Sequence, residues 1–160
     1  MKVNIKHNYI LGGCVAVLAL LCFLSIGRPV YFQQQQEKRE QAVKHTLVQI
    51  RLAEEKYRVR TGAYTASFDS LIRCGYLKNS LQFIPYTQHK KFELETATQL
   101  SKAGTQIPLM ECRAKYTVFL EGLNKQMVQQ LIKNRQDEGR YEGLKFGDLV
   151  TPNNNAGNWE

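Results

Sequence analysis

The sequence predicts an α+β protein: an N-terminal transmembrane helix continues into a long amphipathic helix that packs on a small antiparallel sheet, with one further helix. Three observations carry this prediction. Residues 10–27, "ILGGCVAVLALLCFLSIG", run for 18 positions without a charge. Residues 33–60 contain no Gly or Pro and consist mainly of good helix formers. Beyond residue 80, apolar and polar residues alternate in short runs bounded by turn residues, the period of strands.

At 1.5 Å per residue, 18 apolar positions cross most of a ~30 Å hydrocarbon core. A cleaved signal sequence is the alternative, with Ser25–Gly27 as its small-residue exit, although its core is usually shorter, ~7–15 residues; a lipoprotein cysteine follows its apolar run, whereas Cys14 opens this one. A buried core helix would be apolar on one face only. Lys2 and Lys6 precede the run and Arg28 follows it, a balance that close to the membrane favours a cytoplasmic N-terminus. The expected organisation is a cytoplasmic tail (1–9), a transmembrane helix (10–27), a stalk and amphipathic helix (28–62), an α+β ectodomain (63–150) and a C-terminal tail (151–160). That places the protein in the inner membrane as a single-pass chain with a periplasmic ectodomain.

The 160 residues carry a formal charge of +8. Residues 29–160 hold 19 Lys and Arg against 14 Asp and Glu, with the signs interspersed, so a solvated mixed-charge surface is expected. No basic block with interleaved aromatics points to nucleic acid. Cys14 and Cys22 fall inside the apolar run, where they act as small apolar residues. In an oxidising compartment, Cys74 and Cys112 allow one bridge over 37 intervening residues, worth roughly 3–4 kcal/mol; two half-buried thiols are the alternative.

After the membrane, Pro29 is placed to kink the exit, and Tyr31 and Phe32 stand where interfacial aromatics belong. Val43, Leu47, Ile50 and Tyr57 then recur at spacings of four, three and seven, a narrow apolar stripe that serves as the packing seam for the sheet or as a partner seam. Arg58 and Arg60 suit the last helical turn, Glu54 stands one turn before Arg58, and Gly62 supplies the stop. Ser67 reads as an N-cap for a short helix ended by Gly75. Strand character is read at 81–87, 90–97, 106–113 and 115–122, with Pro85 and Pro108 at strand edges or bulges. Asn124 caps a helix to about Glu138, and "LKFGDLV" supplies a last short strand. Trp159 in the tail either docks or stays free.

"AEEKYRVRTGAYTASFDSLIRCGYL", with Ala53, Tyr57, Gly62, Tyr64, Leu71, Gly75, Tyr76 and Leu77, resembles the handover from long helix to sheet in type IV pilins and type II secretion pseudopilins. The whole chain is also similar to a group of single-pass envelope proteins of Bacteroidota. The pilin resemblance implies a helix-on-sheet fold and partners in the cell envelope. It does not extend to the family's processed leader and filament-forming carboxylate, since no Asp or Glu precedes Glu37. Asp69-Ser70-Leu71 is similar to the O-glycan acceptor motif of exported Bacteroidota proteins, with Ser70 as the acceptor; the same residues read equally as the first turn of a helix.

Catalytic constellations are not apparent. His7, His45 and His89 are dispersed without metal-ligand spacing. Ser101 and Lys102 are adjacent rather than convergent, and Glu93 and Glu95 share one face of a strand that reads as solvated. Asp148 with Asn153–Asn155 gathers oxygen atoms near a turn, but follows no calcium-loop spacing. The expectation is a non-enzymatic scaffold or interaction module without cofactor, its partners the bilayer and envelope proteins. The alternatives are a minor pseudopilin or secretion-system component, and a membrane-tethered enzyme or ligand-binding protein.

Overall fold

The computed structural model describes residues 5–101 and 104–160, with backbone alone at 5–8 and 23–28. By its internal contacts the chain divides into two units, Met1–Gln36 and Glu37–Glu160. Helix α1 (Ile5–Thr61) begins in the first and ends in the second.

In the first unit every side chain from Tyr9 to Cys22 is exposed, the large apolar residues included. Pro29, expected at a kinked exit, lies inside α1. Among the described residues no helix is long and apolar enough to cross a membrane. The span expected over 10–27 reaches into 23–28, whose side chains lie outside the described residues.

The second unit is α+β. Its sheet has three antiparallel strands in the order β1 (Glu93–Leu100), β2 (Gln106–Lys115) and β3 (Gly143–Gly147). The register aligns Leu94, Cys112 and Phe146 across the sheet, with Thr96 opposite Met110 and Ala114 opposite Leu144. Because side chains alternate along a strand, these positions share one face. Most of them are buried in a common core with Val43, Leu47, Ile50 and Ala53 of α1. Val43, Leu47 and Ile50 are fully buried, so the stripe is the packing seam of this unit, with Tyr57 packed against its margin.

α1 stops where Gly62 takes a positive φ of 85°, a conformation cheap only for glycine, and its N–H closes on the Arg58 carbonyl at 2.7 Å. Ser67 caps α2 (Phe68–Arg73), its hydroxyl accepting from the Ser70 N–H. Asn124 caps α4 (Lys125–Asp137) by accepting from the N–H groups of Gln126 and Met127.

Two expected strands are not strands. Residues 79–82 form one turn of 3₁₀ helix, after which the chain pairs only at Phe83 with Lys91. Between these the loop turns sharply, with Tyr86 and His89 at positive φ, so 81–87 cannot remain extended. Tyr116–Phe119 forms the short helix α3. Tyr116, Phe119 and Leu120 are all buried, and their spacing of three and four places them on one helical side, a demand that outweighs the β-branched and aromatic composition. Pro108 lies within β2, but β3 pairs only with residues 111–115, so at 108 the strand has a paired neighbour on one side and a proline is tolerated.

The tail at 151–160 is part of the fold. Gly157 bridges to Phe146, the Asn158 N–H donates to the Lys145 carbonyl at 2.9 Å, and Trp159 packs against the core.

Candidate functional site

The residues that start β3 (Gly143, Leu144 and Lys145) and those that end the tail (Asn158, Trp159 and Glu160) form one wall of a cleft of about 580 Å³. Its other side is made by Glu40 and Lys44 of α1, Tyr116 of α3 and Arg135 of α4, with Arg140 and Tyr141 from the loop after α4. Buried Tyr116 lies close enough to Glu40 and Arg135 for their charges to act on its phenol. Burial, reinforced by the Glu40 charge, pushes the Tyr116 phenol above its ordinary range, so it remains a neutral hydroxyl. Lys44 stands 3.7 Å from Glu40. Four cationic side chains (Lys44, Arg135, Arg140 and Lys145) meet the side chains of two acids, Glu40 and Glu160.

The tail wall is held firmly. Asn158 donates from its amide to the Gly143 carbonyl at 3.0 Å and accepts from the Lys145 N–H at 3.2 Å. Glu160 pairs with Arg51 at 2.8 Å and accepts from the Gly157 N–H at 3.2 Å. The Trp159 ring lies directly over Gly157, where any Cβ would come within 2.6 Å of it. A glycine at 157 is therefore required for the indole to sit where it does.

The outer face of the sheet carries a charge cluster. Arg113 reaches Glu93 and Glu95 at 2.6 Å each and Glu111 at 2.8 Å, and Lys145 reaches Glu111 at 2.6 Å. The three carboxylates hold the Arg113 guanidinium firmly protonated. Glu93 and Glu95 thus do share a face, as ion-pair partners.

Glu54 is the residue whose burial sequence reasoning missed. Spaced one turn before Arg58, it is fully buried, while Arg58 instead donates to the Tyr64 hydroxyl at 2.9 Å. Glu54 Oε2 accepts from the Thr65 N–H at 3.0 Å, and Oε1 is buried without a hydrogen bond. Desolvation drives its pKa up to about 7, against the partial relief of the Thr65 bond. The signal was present: positions 43, 47, 50, 54 and 57 follow alternating spacings of four and three, and Glu54 fills the gap of seven.

The other singled-out residues are scattered. Cys74 and Cys112 are both free thiols: Cys112 is fully buried on the inner sheet face, its pKa pushed well up by burial, and Cys74 is half-buried with Arg60 3.0 Å from its sulfur. Ser70 is half-buried in the first turn of α2. Asp148 Oδ1 accepts from the N–H groups of Val150 and Thr151, and Asn155 donates to the Tyr64 hydroxyl, so these side chains are engaged in turns and packing. Among the described residues no group of three His, Cys, Asp or Glu is placed to hold a metal ion. The Ser101–Lys102 pair falls partly outside the described residues, as does the side chain of His7. Comparisons with protein-family models, curated proteins and solved structures yield no match.

Proposed function

We propose that the chain is a single-pass, membrane-anchored module of the cell envelope that works through non-covalent contacts of a pilin-like head rather than by catalysis. The observation that carries this reading is the stretch from Tyr9 to Cys22, which is apolar around the whole helix and exposed throughout. So much contiguous apolar surface demands a non-aqueous partner, and a helix satisfies its own backbone in lipid. The pilin-like part of the reading is supported by the handover at Gly62 and Ser67 and by the antiparallel sheet packed on the seam of α1. The N-terminus is assigned to the cytoplasm and the head to the periplasm, where envelope proteins are its partners.

Fractionation of cells tests the anchor. The full chain is expected to resist extraction from membranes with alkaline carbonate, and extracellular protease added to spheroplasts is expected to degrade the head. Release into the soluble fraction overturns the anchor, and protection of the head in intact spheroplasts overturns the orientation. Crosslinking in native membranes should yield discrete assemblies; a chain recovered only as monomer overturns the scaffold role.

A further inference from the structure

We propose that the cleft between the β3–tail wall and Arg135 binds an acidic saccharide, with the Trp159 indole against a sugar face and the Arg135–Arg140 side receiving its carboxylate. The aromatic platform is pre-built. One face of Trp159 is backed by Gly157, and the tail is clamped on both sides of it by Asn158 and by the Glu160–Arg51 pair. An aromatic ring fixed before the ligand arrives loses little freedom on binding, and this favours affinity.

The charge pattern selects the ligand class. Lys145 is paired with Glu111 and Lys44 with Glu40, so it is the guanidinium groups of Arg135 and Arg140, the latter in an exposed pair with Glu138, that are placed to receive an anionic group. The acids of the cleft exclude a phosphate-rich ligand. Glu40 and Glu160 would repel a polyphosphate, whereas the hydroxyls of a sugar can donate to carboxylates that a phosphate cannot use. Planar guanidinium forks match a carboxylate bidentately. Donors for one carboxylate, acceptors for several hydroxyls and a rigid ring for an apolar face together describe a uronic-acid residue better than a peptide or a nucleotide. The inference gives the proposed head a ligand, but rests on the cleft alone and does not require the membrane anchor.

Trp159 is the single tryptophan of the chain, so its emission reports on this cleft alone. The full chain, purified in a sugar-free detergent, is titrated with trigalacturonate, with neutral maltotriose and with inorganic triphosphate. Trigalacturonate should give a saturable change in emission, and maltotriose should bind at least tenfold more weakly. Arg135→Gln and Arg140→Gln should each weaken trigalacturonate at least fivefold. Arg140 is 65% exposed and among the described residues pairs with Glu138 at 3.3 Å, so its variant tests binding without endangering the fold. Trp159→Phe, followed by calorimetry, should weaken affinity while Arg140→Gln retains the emission maximum of the free protein. No saturable response, equal affinity for maltotriose, tighter binding of triphosphate, or unchanged affinity in both arginine variants overturns the proposal. If fractionation shows the chain to be unanchored, the same titration is run without detergent, so failure of one reading is separable from failure of the other.

Discussion

Within the single helix α1, Tyr9 to Cys22 and Val43 to Tyr57 both depend on apolar side chains, yet one stretch is exposed throughout and the other is the centre of a core. The difference lies in angular distribution. In the first stretch the apolar residues surround the axis; in the second they fill one stripe, with Lys44, His45 and Lys56 on other sides. A stripe can be covered by one sheet, because a single contact removes it from water. A fully apolar cylinder cannot be satisfied by one small sheet and calls for a surrounding medium.

The sharpest way to break this contrast is truncation in the stripe. Leu47 is fully buried in the core, so Leu47→Ala should cost about 2–5 kcal/mol through lost transfer energy and the cavity left behind. Chemical denaturation of the full chain, followed by head fluorescence, measures the loss. The same truncation at Leu18 should leave that transition unchanged, since Leu18 is exposed and belongs to the other unit. A charge there has a different readout. At the middle of the proposed span, Leu18→Lys should oppose membrane insertion by about 3 kcal/mol and shift chain into the carbonate-soluble fraction, while the head melts as before.

Glu54 sharpens the comparison from inside the stripe. Its folded pKa of about 7 lies above the ordinary 4.5, so the folded state binds the proton more tightly than the unfolded chain does. The protonated group costs nothing below about pH 4.5; the penalty grows as pH rises from there and is complete above about 7. The difference of about two and a half pKa units corresponds to roughly 3 kcal/mol. Glu54→Gln, which keeps an acceptor for the Thr65 N–H, should therefore stabilise the head by up to about 3 kcal/mol at pH 8 and hardly at all at pH 4. Denaturation midpoints of both proteins across that interval check the sign. Parallel curves would mean that Glu54 is hydrated in the folded state.

The residues that could be read in advance were those whose role is local. Gly62, Ser67, Gly75 and Asn124 end or begin helices through their own backbone or side-chain chemistry, and β1, β2 and β3 lie within the expected segments or close to them. Tyr116–Phe119 was misread because its composition suits a strand, while burial of three residues on one side decided for a helix. The cleft was not legible at all. It brings together Glu40, Tyr116, Arg135 and Trp159 from separate parts of the chain, and no spacing along the sequence encodes that convergence. Glu54 lies between these extremes: it fills a gap in a periodic stripe, while its spacing to Arg58 equally suits a helical ion pair.

Val59 gives the smallest expected effect and the closest control. It lies in α1, nine residues beyond fully buried Ile50, and is 89% exposed. Truncating it to alanine creates no cavity and returns little apolar surface to water. What remains is intrinsic propensity: a β-branched side chain loses rotamer freedom against the preceding helical turn, and alanine does not. Val59→Ala should therefore raise the stability of the head by about half a kcal/mol, opposite in sign to Leu47→Ala for the same kind of truncation in the same helix. A loss of more than 1 kcal/mol in the purified full chain would show that Val59 is covered in solution, and the separation of buried stripe from exposed surface would have to be redrawn at that end of the helix.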